Sequence, residues 1–188
     1  MAKNLYTASI KYTEENMHKL SRAINNTFRF NLKLIYAVIC IGLLIGGVFV
    51  GLDNLTGIVM AAFGCFLLPS INVMEKHQAN EAIKNLHGVV YTANYEFADD
   101  KFVCFNTKER NEFSYGSIIR MTREKDAWYL FPNATQAYMI DRSTLKPADE
   151  EGFEKFLESR VGLAFTRPNS FATFSLKKIR FDKENTRL

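Results

Sequence analysis

Apolar residues along this chain follow different rhythms, and each rhythm predicts a different element. From Leu5 to Tyr12 they alternate: Tyr6, Ala8, Ile10 and Tyr12 share one side, and Thr7, Ser9 and Lys11 the other, the period of a half-buried strand. Past Thr13, whose hydroxyl suits a helix N-cap with Glu14 and Glu15 in the first turn, the spacing lengthens. Met17, Leu20, Ile24 and Phe28 form one stripe of an amphipathic helix over 13–33. Then periodicity stops. Leu34–Leu52 and Leu55–Met74 are apolar runs without Lys, Arg, Asp or Glu, separated only by Asp53-Asn54. At ~1.5 Å rise per residue each run reaches roughly 30 Å, the thickness of a bilayer's hydrocarbon core. A transmembrane helical hairpin over 34–74 is predicted, its helices made antiparallel neighbours by so short a turn.

Beyond the hairpin, 75–87 reads as a helical linker with Ala79, Ala82, Ile83 and Leu86 on one side, ended by Gly88. The period then becomes two. Val89, Tyr91, Ala93, Tyr95 and Phe97 share a strand face, Ala98-Asp99-Asp100 turns, and Phe102, Val103 and Phe105 follow in a second strand. After a polar turn over 106–111, Glu112–Tyr115 is short and ambiguous, and Ser117–Arg123, Ala127–Phe131 and Gln136–Asp141 read as further short strands. Turns about every eight to twelve residues indicate an antiparallel meander or small barrel. Asp149 is a helix N-cap followed by Glu150 and Glu151, and Phe153, Phe156, Leu157 and Val161 form the apolar face of a helix that can close the sheet. The segment 88–161 is thus one β domain with a capping helix, and 162–188 a basic, Phe-rich extension. The strand in 1–12 is expected to pair with an edge of the carboxy-terminal sheet, which would insert the hairpin into one domain.

The chain of 188 residues carries a net charge of +4, placed unevenly: residues 1–33 and 161–188 each contribute +4, whereas 75–160 contributes −3. A mildly acidic middle excludes the dense basic face of a nucleic-acid binder. Lys19, Arg22, Arg29 and Lys33 precede the first run, Lys76 and Lys84 follow the second, and the turn has no cation. The positive-inside rule then places both termini in the cytoplasm. Three dispersed cysteines, Cys40, Cys65 and Cys104, fit a reducing compartment, and no cleavable signal peptide is expected. Gly42/Gly46 and Gly47/Gly51 in the first run, and Gly57, Ala61 and Cys65 in the second, allow close helix approach, within the hairpin or between copies of the chain. The spans contain no ionisable group, which favours an anchor over a transport path.

Candidate chemistry is sparse. His18, His77 and His87 have no partner at metal-ligand spacing, Asp99-Asp100 and Glu150-Glu151 suit a turn and a helix start, and no phosphate-binding glycine loop or nucleophile elbow is present. No enzyme activity, metal or cofactor is expected. Membrane lipid is the expected contact of the spans, and Lys177, Lys178 and Arg180 in the tail are the candidates for gripping anionic lipid.

Tyr95-Glu96-Phe97-x-Asp99-Asp100, Phe113-Ser114-Tyr115-x-x-Ile118, Trp128-Tyr129-Leu130-Phe131 and Ala137-Tyr138-Met139-Ile140-Asp141-Arg142 occur in that order before the Phe153 helix. With the preceding strand and hairpin, roughly residues 5–161 resemble the YcxB-like family of bacterial membrane proteins. That resemblance implies an α+β membrane protein: a transmembrane helical hairpin plus a cytoplasmic, pleckstrin-homology-like (PH-like) antiparallel β-barrel capped by a carboxy-terminal helix. It brings no established activity. Barrels of this type often bind inositol phosphates through a basic loop between their first two strands. Reading that loop as Ala98-Asp99-Asp100, acidic apart from Lys101, disfavours phosphoinositide binding. The leading expectation is a binding or scaffold module whose partner is another membrane protein or a second copy. The rival from another class is an immunity-type protein protecting against a membrane-active toxin, and a conducting oligomer is the weakest reading.

Overall fold

The computed structural model describes residues 5–85 and 89–170. It is a mixed α+β structure with two long apolar helices and two antiparallel sheets. Strand β1 (Tyr6–Lys11) leads through α1 (Glu14–Phe28) into α2 (Phe30–Val50), and α3 (Leu55–Leu67) returns. A 3-10 turn over Leu68–Asn72 contains Pro69, whose missing N–H tightens the helix before it resumes as α4 (Val73–Asn85). Strands β2 (Thr92–Phe97), β3 (Lys101–Phe105) and β4 (Arg110–Ser114) complete the first sheet in the order β1-β2-β3-β4. Strands β5 (Arg120–Arg123), β6 (Ala127–Asn133) and β7 (Gln136–Asp141) form the second, and α5 (Glu150–Val161) follows.

β1 runs antiparallel to β2 over its whole length, from Tyr6 opposite Phe97 to Lys11 opposite Thr92. The alternation read from the sequence sets this register, because Ala8 and Ile10 face the core beside Ala93 and Tyr95. The hairpin is therefore the connection between two neighbouring strands of one sheet. This corrects the reading of Ala98-Asp99-Asp100 as the loop between the first two strands: that turn joins β2 to β3, and Arg160 of α5 holds Asp99 at 2.6 Å. At one corner the sheets are sewn together, Thr7 and Lys146 exchanging two backbone hydrogen bonds of 2.8 Å while the Thr144 hydroxyl bonds both N–H and C=O of Ser9. Among the described residues the strand ladder does not close into a continuous barrel.

β6 shows why its sequence lacks alternation. All of Ala127–Phe131 is buried, since both faces of this central strand are covered. On one face Trp128 packs edge-on against Phe153 of α5 at 4.9 Å between ring centroids, with Phe97 and Tyr6 against the same Phe153 ring. On the other, Phe131 meets Phe28 of α1 at 5.3 Å. Truncating a buried Phe such as Phe153 costs about 3–5 kcal/mol, so α5 is a structural lid. Asp149 caps α5 by accepting from the Gly152 N–H, and Gly162 ends it at φ 72° in the left-handed region.

The amphipathic stripe of α1 finds its partner inside the protein. Met17, Leu20, Ile24 and Phe28 pack on the β core, so this helix covers the second sheet and then passes into α2 with a break only at Arg29. Thr13 is its N-cap, accepting from the Asn16 N–H. The extension is also shorter than its sequence reading: Phe165 is buried, and Thr166 bridges β5 in parallel through two backbone hydrogen bonds to Met121 and Arg123.

Candidate functional site: a basic cleft at the foot of the hairpin

The two halves of the hairpin are built differently. Between α2 and α3 the contact is backbone on backbone. A Cβ on Gly57 would lie 2.1 Å from the Gly51 carbonyl oxygen, and one on Gly47 would lie 2.7 Å from both the Gly57 oxygen and the Ala61 nitrogen. Gly46 faces the flexible end of Met60, and Gly51 ends α2 at φ 99°. Two placements differ from the sequence reading. Gly42 has nothing within 4 Å of a built Cβ, so it lies outside this seam. Cys65 is exposed, and Gly64 takes its place, packed against Leu44 and the Cys40 carbonyl. Helical pitch explains the exchange. At ~3.6 residues per turn a residue seven positions from Gly57 returns almost to its face, whereas one eight positions away swings well past it.

Between α1 and α4 the contact is polar. Glu75 is buried, with Lys33 Nζ at 2.7 Å on one carboxylate oxygen and Arg22 Nε at 3.2 Å on the other. The Ser21 hydroxyl donates to the Glu75 backbone oxygen, and Asn25 donates to Gln78 at 2.8 Å. Lys33 also donates to Asn26. The sequence reading used Lys33 and Arg22 only as topology markers and missed Glu75. The available signal was a carboxylate placed immediately after the second apolar run, with cations, Arg22 and Lys33 among them, ahead of the first.

Beside this junction lies a cleft formed by two adjoining cavities. The larger, about 860 Å³, is lined by Arg22, Arg123, Lys125, Arg142 and Arg167 together with Glu124 and Glu154. The smaller, about 250 Å³, continues from Arg22 and Asn26 to Phe30, Lys33, Asn72 and Lys76. β5 and the β5–β6 turn supply one wall, α1 and α4 another, and the returning segment to Ser170 a third. Arg123 pairs with Glu154, which also accepts from the Trp128 indole at 2.8 Å, and Arg142 pairs with Glu150 while its guanidinium lies 4.8 Å over the Trp128 ring. Burial pushes the Glu124 carboxyl above the usual carboxylate range, against the opposing pull of the Tyr129 hydroxyl and the Arg22 charge.

A second concavity of about 480 Å³ lies between the β3–β4 turn and the start of β7, lined among others by Tyr12, Tyr91, Cys104, Asn111 and Tyr138. Burial raises the Cys104 thiol and lifts Tyr138 to about 12, so both stay protonated near neutral pH. Tyr12 and Tyr95 share a hydrogen bond of 3.3 Å behind it. Among the described residues no group of three or more His, Cys, Asp or Glu is placed to hold a metal ion. His18 and His77 sit on α1 and α4; Leu86, His87 and Gly88, and the tail candidates Lys177, Lys178 and Arg180, lie outside the described residues.

Residues 97–157 match the family model described as YcxB-like protein, the family that the order of aromatic and turn motifs resembles. The matched segment runs from the end of β2 through β7 into α5 and holds the two-sheet core other than β1 and most of β2. No curated protein and no solved structure matches the chain.

Proposed function

We propose that this protein is a membrane-anchored binding module whose hairpin holds a PH-like domain against the cytoplasmic face of a bacterial inner membrane. The observation that carries this reading is the insertion of the hairpin between β1 and β2, with α1 packed across the second sheet. An anchor attached through a flexible linker leaves its domain free to tumble. Here chain leaves and re-enters one sheet through adjacent strands, and the Phe28–Phe131 contact adds a second attachment.

Four further observations support it. Helices of 21 and 31 residues, the latter counted from Leu55 through Asn85, are long and apolar enough to cross a membrane. Their large side chains, including Ile35, Val38, Phe49, Phe63 and Phe66, point outward and exposed, which suits lipid and not water. The cations Lys19, Arg22, Arg29, Lys33, Lys76 and Lys84 all lie at the open end of the hairpin, so both termini belong on the cytoplasmic side. A four-stranded and a three-stranded sheet with a carboxy-terminal helix over one end supports the PH-like part of this reading.

The binding surface is the outer edge of β4. It ends the order of its sheet and its side chains are exposed apart from a half-buried Phe113, so a partner strand can add there by β-augmentation. The partner is a membrane protein or a second copy. A photo-crosslinking residue placed at Asn111 in intact cells tests the reading. One recurrent adduct, absent when the probe replaces exposed Lys84, is expected; adducts spread over unrelated abundant proteins would refute a dedicated binding edge.

A further inference from the structure

Along the two adjoining cavities cations outnumber carboxylates seven to three. Part of that charge is matched: Arg22 and Lys33 share Glu75, Arg123 is held by Glu154 and Arg142 by Glu150. Lys76, Lys125 and Arg167 make no ion pair with a carboxylate among the described residues. Scattered over a convex surface, three such cations are simply solvated. Gathered along a concavity with low-dielectric walls, they focus a positive potential into it.

The position of the cleft identifies the anion. Its smaller cavity is bounded by Phe30 and Lys33, at the start of α2, and by Asn72 and Lys76, where the return helix leaves its apolar stretch. In a bilayer spanned by α2 and α3, these residues stand at the level of the lipid phosphates. We propose that the cleft seats the phosphate of an anionic phospholipid headgroup from the leaflet at this end of the hairpin. Arg22 and Lys76 take the phosphate, the neutral side chains of Asn26 and Asn72 offer further hydrogen bonds, and Arg167 closes the site from the returning segment. Acyl chains of that lipid lie along the exposed apolar side chains of α2, an interaction unavailable to a soluble phosphate. Ser170 lines both cavities.

The inference rests on the membrane-spanning reading, and the two are tested separately. Carbonate extraction of membranes tests the span, because a chain released into the supernatant does not cross the bilayer. For the site, the full-length protein in nonionic detergent is titrated with phosphatidylglycerol, phosphatidylcholine or glycerol phosphate, and bound molecules are counted by native mass spectrometry. Preferential binding of phosphatidylglycerol is expected. The exposed pair Lys76→Ala and Arg167→Ala should weaken it about 25-fold, at roughly fivefold per basic residue near an anionic lipid surface. Lys84→Ala with Lys108→Ala should leave it unchanged, and unaltered Trp128 emission shows that each variant is folded. A chain that resists extraction yet binds both lipids equally sinks the site and spares the anchor. Equal competition by glycerol phosphate would make the ligand a soluble anion, and loss of binding only on replacing Lys177, Lys178 and Arg180 would move it to the tail; either result overturns the proposal.

Discussion

Glu75 is the side chain whose removal the foot of the hairpin should tolerate least. Its carboxylate and the Lys33 ammonium have only 10% of their side-chain surface exposed and stand 2.7 Å apart, whereas the second cation, Arg22, is 61% exposed. Breaking a buried ion pair by deleting one partner costs ~3–5 kcal/mol, because the survivor stays charged in a poor solvent. The Arg22 arm adds little, since exposed pairs contribute about 0–1 kcal/mol. Two features reduce the total: Lys33 keeps its hydrogen bond to Asn26, and its long stem can swing the ammonium toward water. Glu75→Gln should therefore weaken the contact of α4 with α1 and the start of α2 by about 2–3 kcal/mol, which raises the open fraction about 30- to 150-fold. Ala79, buried on α4, accepts a reporter thiol as Ala79→Cys in a background with Cys65→Ser and Cys104→Ser. Its labelling rate in detergent should rise by that factor in Glu75→Gln. Because the fault is the orphaned charge, Lys33→Met combined with Glu75→Leu should return the rate to within roughly tenfold of the parent. If Glu75→Gln labels within about threefold of the parent, or if the double variant is worse than the single, the reasoning fails.

The glycine seam and half-buried Glu124 set two further outcomes. Gly57→Ala places a methyl against two backbone carbonyls that cannot yield, and should cost about 1–3 kcal/mol and accelerate labelling of buried Cys40, whereas Gly42→Ala meets nothing and should leave that rate unchanged. Equal effects at the two positions would place the seam elsewhere. Glu124 binds its proton more tightly folded than unfolded, so its ionisation opposes folding: the penalty is absent at low pH, where both states are protonated, and develops as pH rises through the elevated folded value. Glu124→Gln should accordingly gain thermal stability relative to the parent as pH rises from the acid range to neutrality, followed by emission of Trp128, the single tryptophan and fully buried. A parent whose advantage over the variant grows with pH would contradict this sign.

Where local chemistry decides an element, the sequence announced it. The alternation from Tyr6 to Tyr12 predicts β1, Thr13 and Asp149 predict the starts of α1 and α5, and Ala127–Phe131 is apolar enough to be a covered central strand. Boundaries were poorer where a strand has little to bury. Arg110–Ser114 offers only a half-buried Phe113, so its strand state rests on backbone pairing to β3, which no periodicity reports. The site was largely illegible for a related reason. Arg22, Lys33, Arg123 and Arg167 each read as ordinary solvated or topogenic cations, and only the docking of α1 on the second sheet and the return of Thr166 along β5 bring them to one cleft.

That docking also explains why one fold can carry both an apolar and a polar helix seam. In the proposed bilayer setting no hydrophobic force draws α2 to α3, so contact must come from close packing, and Gly47, Gly57 and Gly64 supply it by letting backbones touch. Outside lipid, α1 has an apolar face to hide, and that face is already spent on the second sheet through Leu20, Ile24 and Phe28. What remains for α4 is the flank of the helix, where buried Ser21 and Asn25, with Arg22 beyond them, offer hydrogen bonds and charge in place of a large apolar surface. Glu75 and Gln78 are the complement that such a face requires. The polar junction is thus a consequence of inserting the hairpin into the sheet: once β1 and β2 lie side by side, α1 must cross the second sheet, and a carboxylate on α4 becomes the means of holding the second helix to the first.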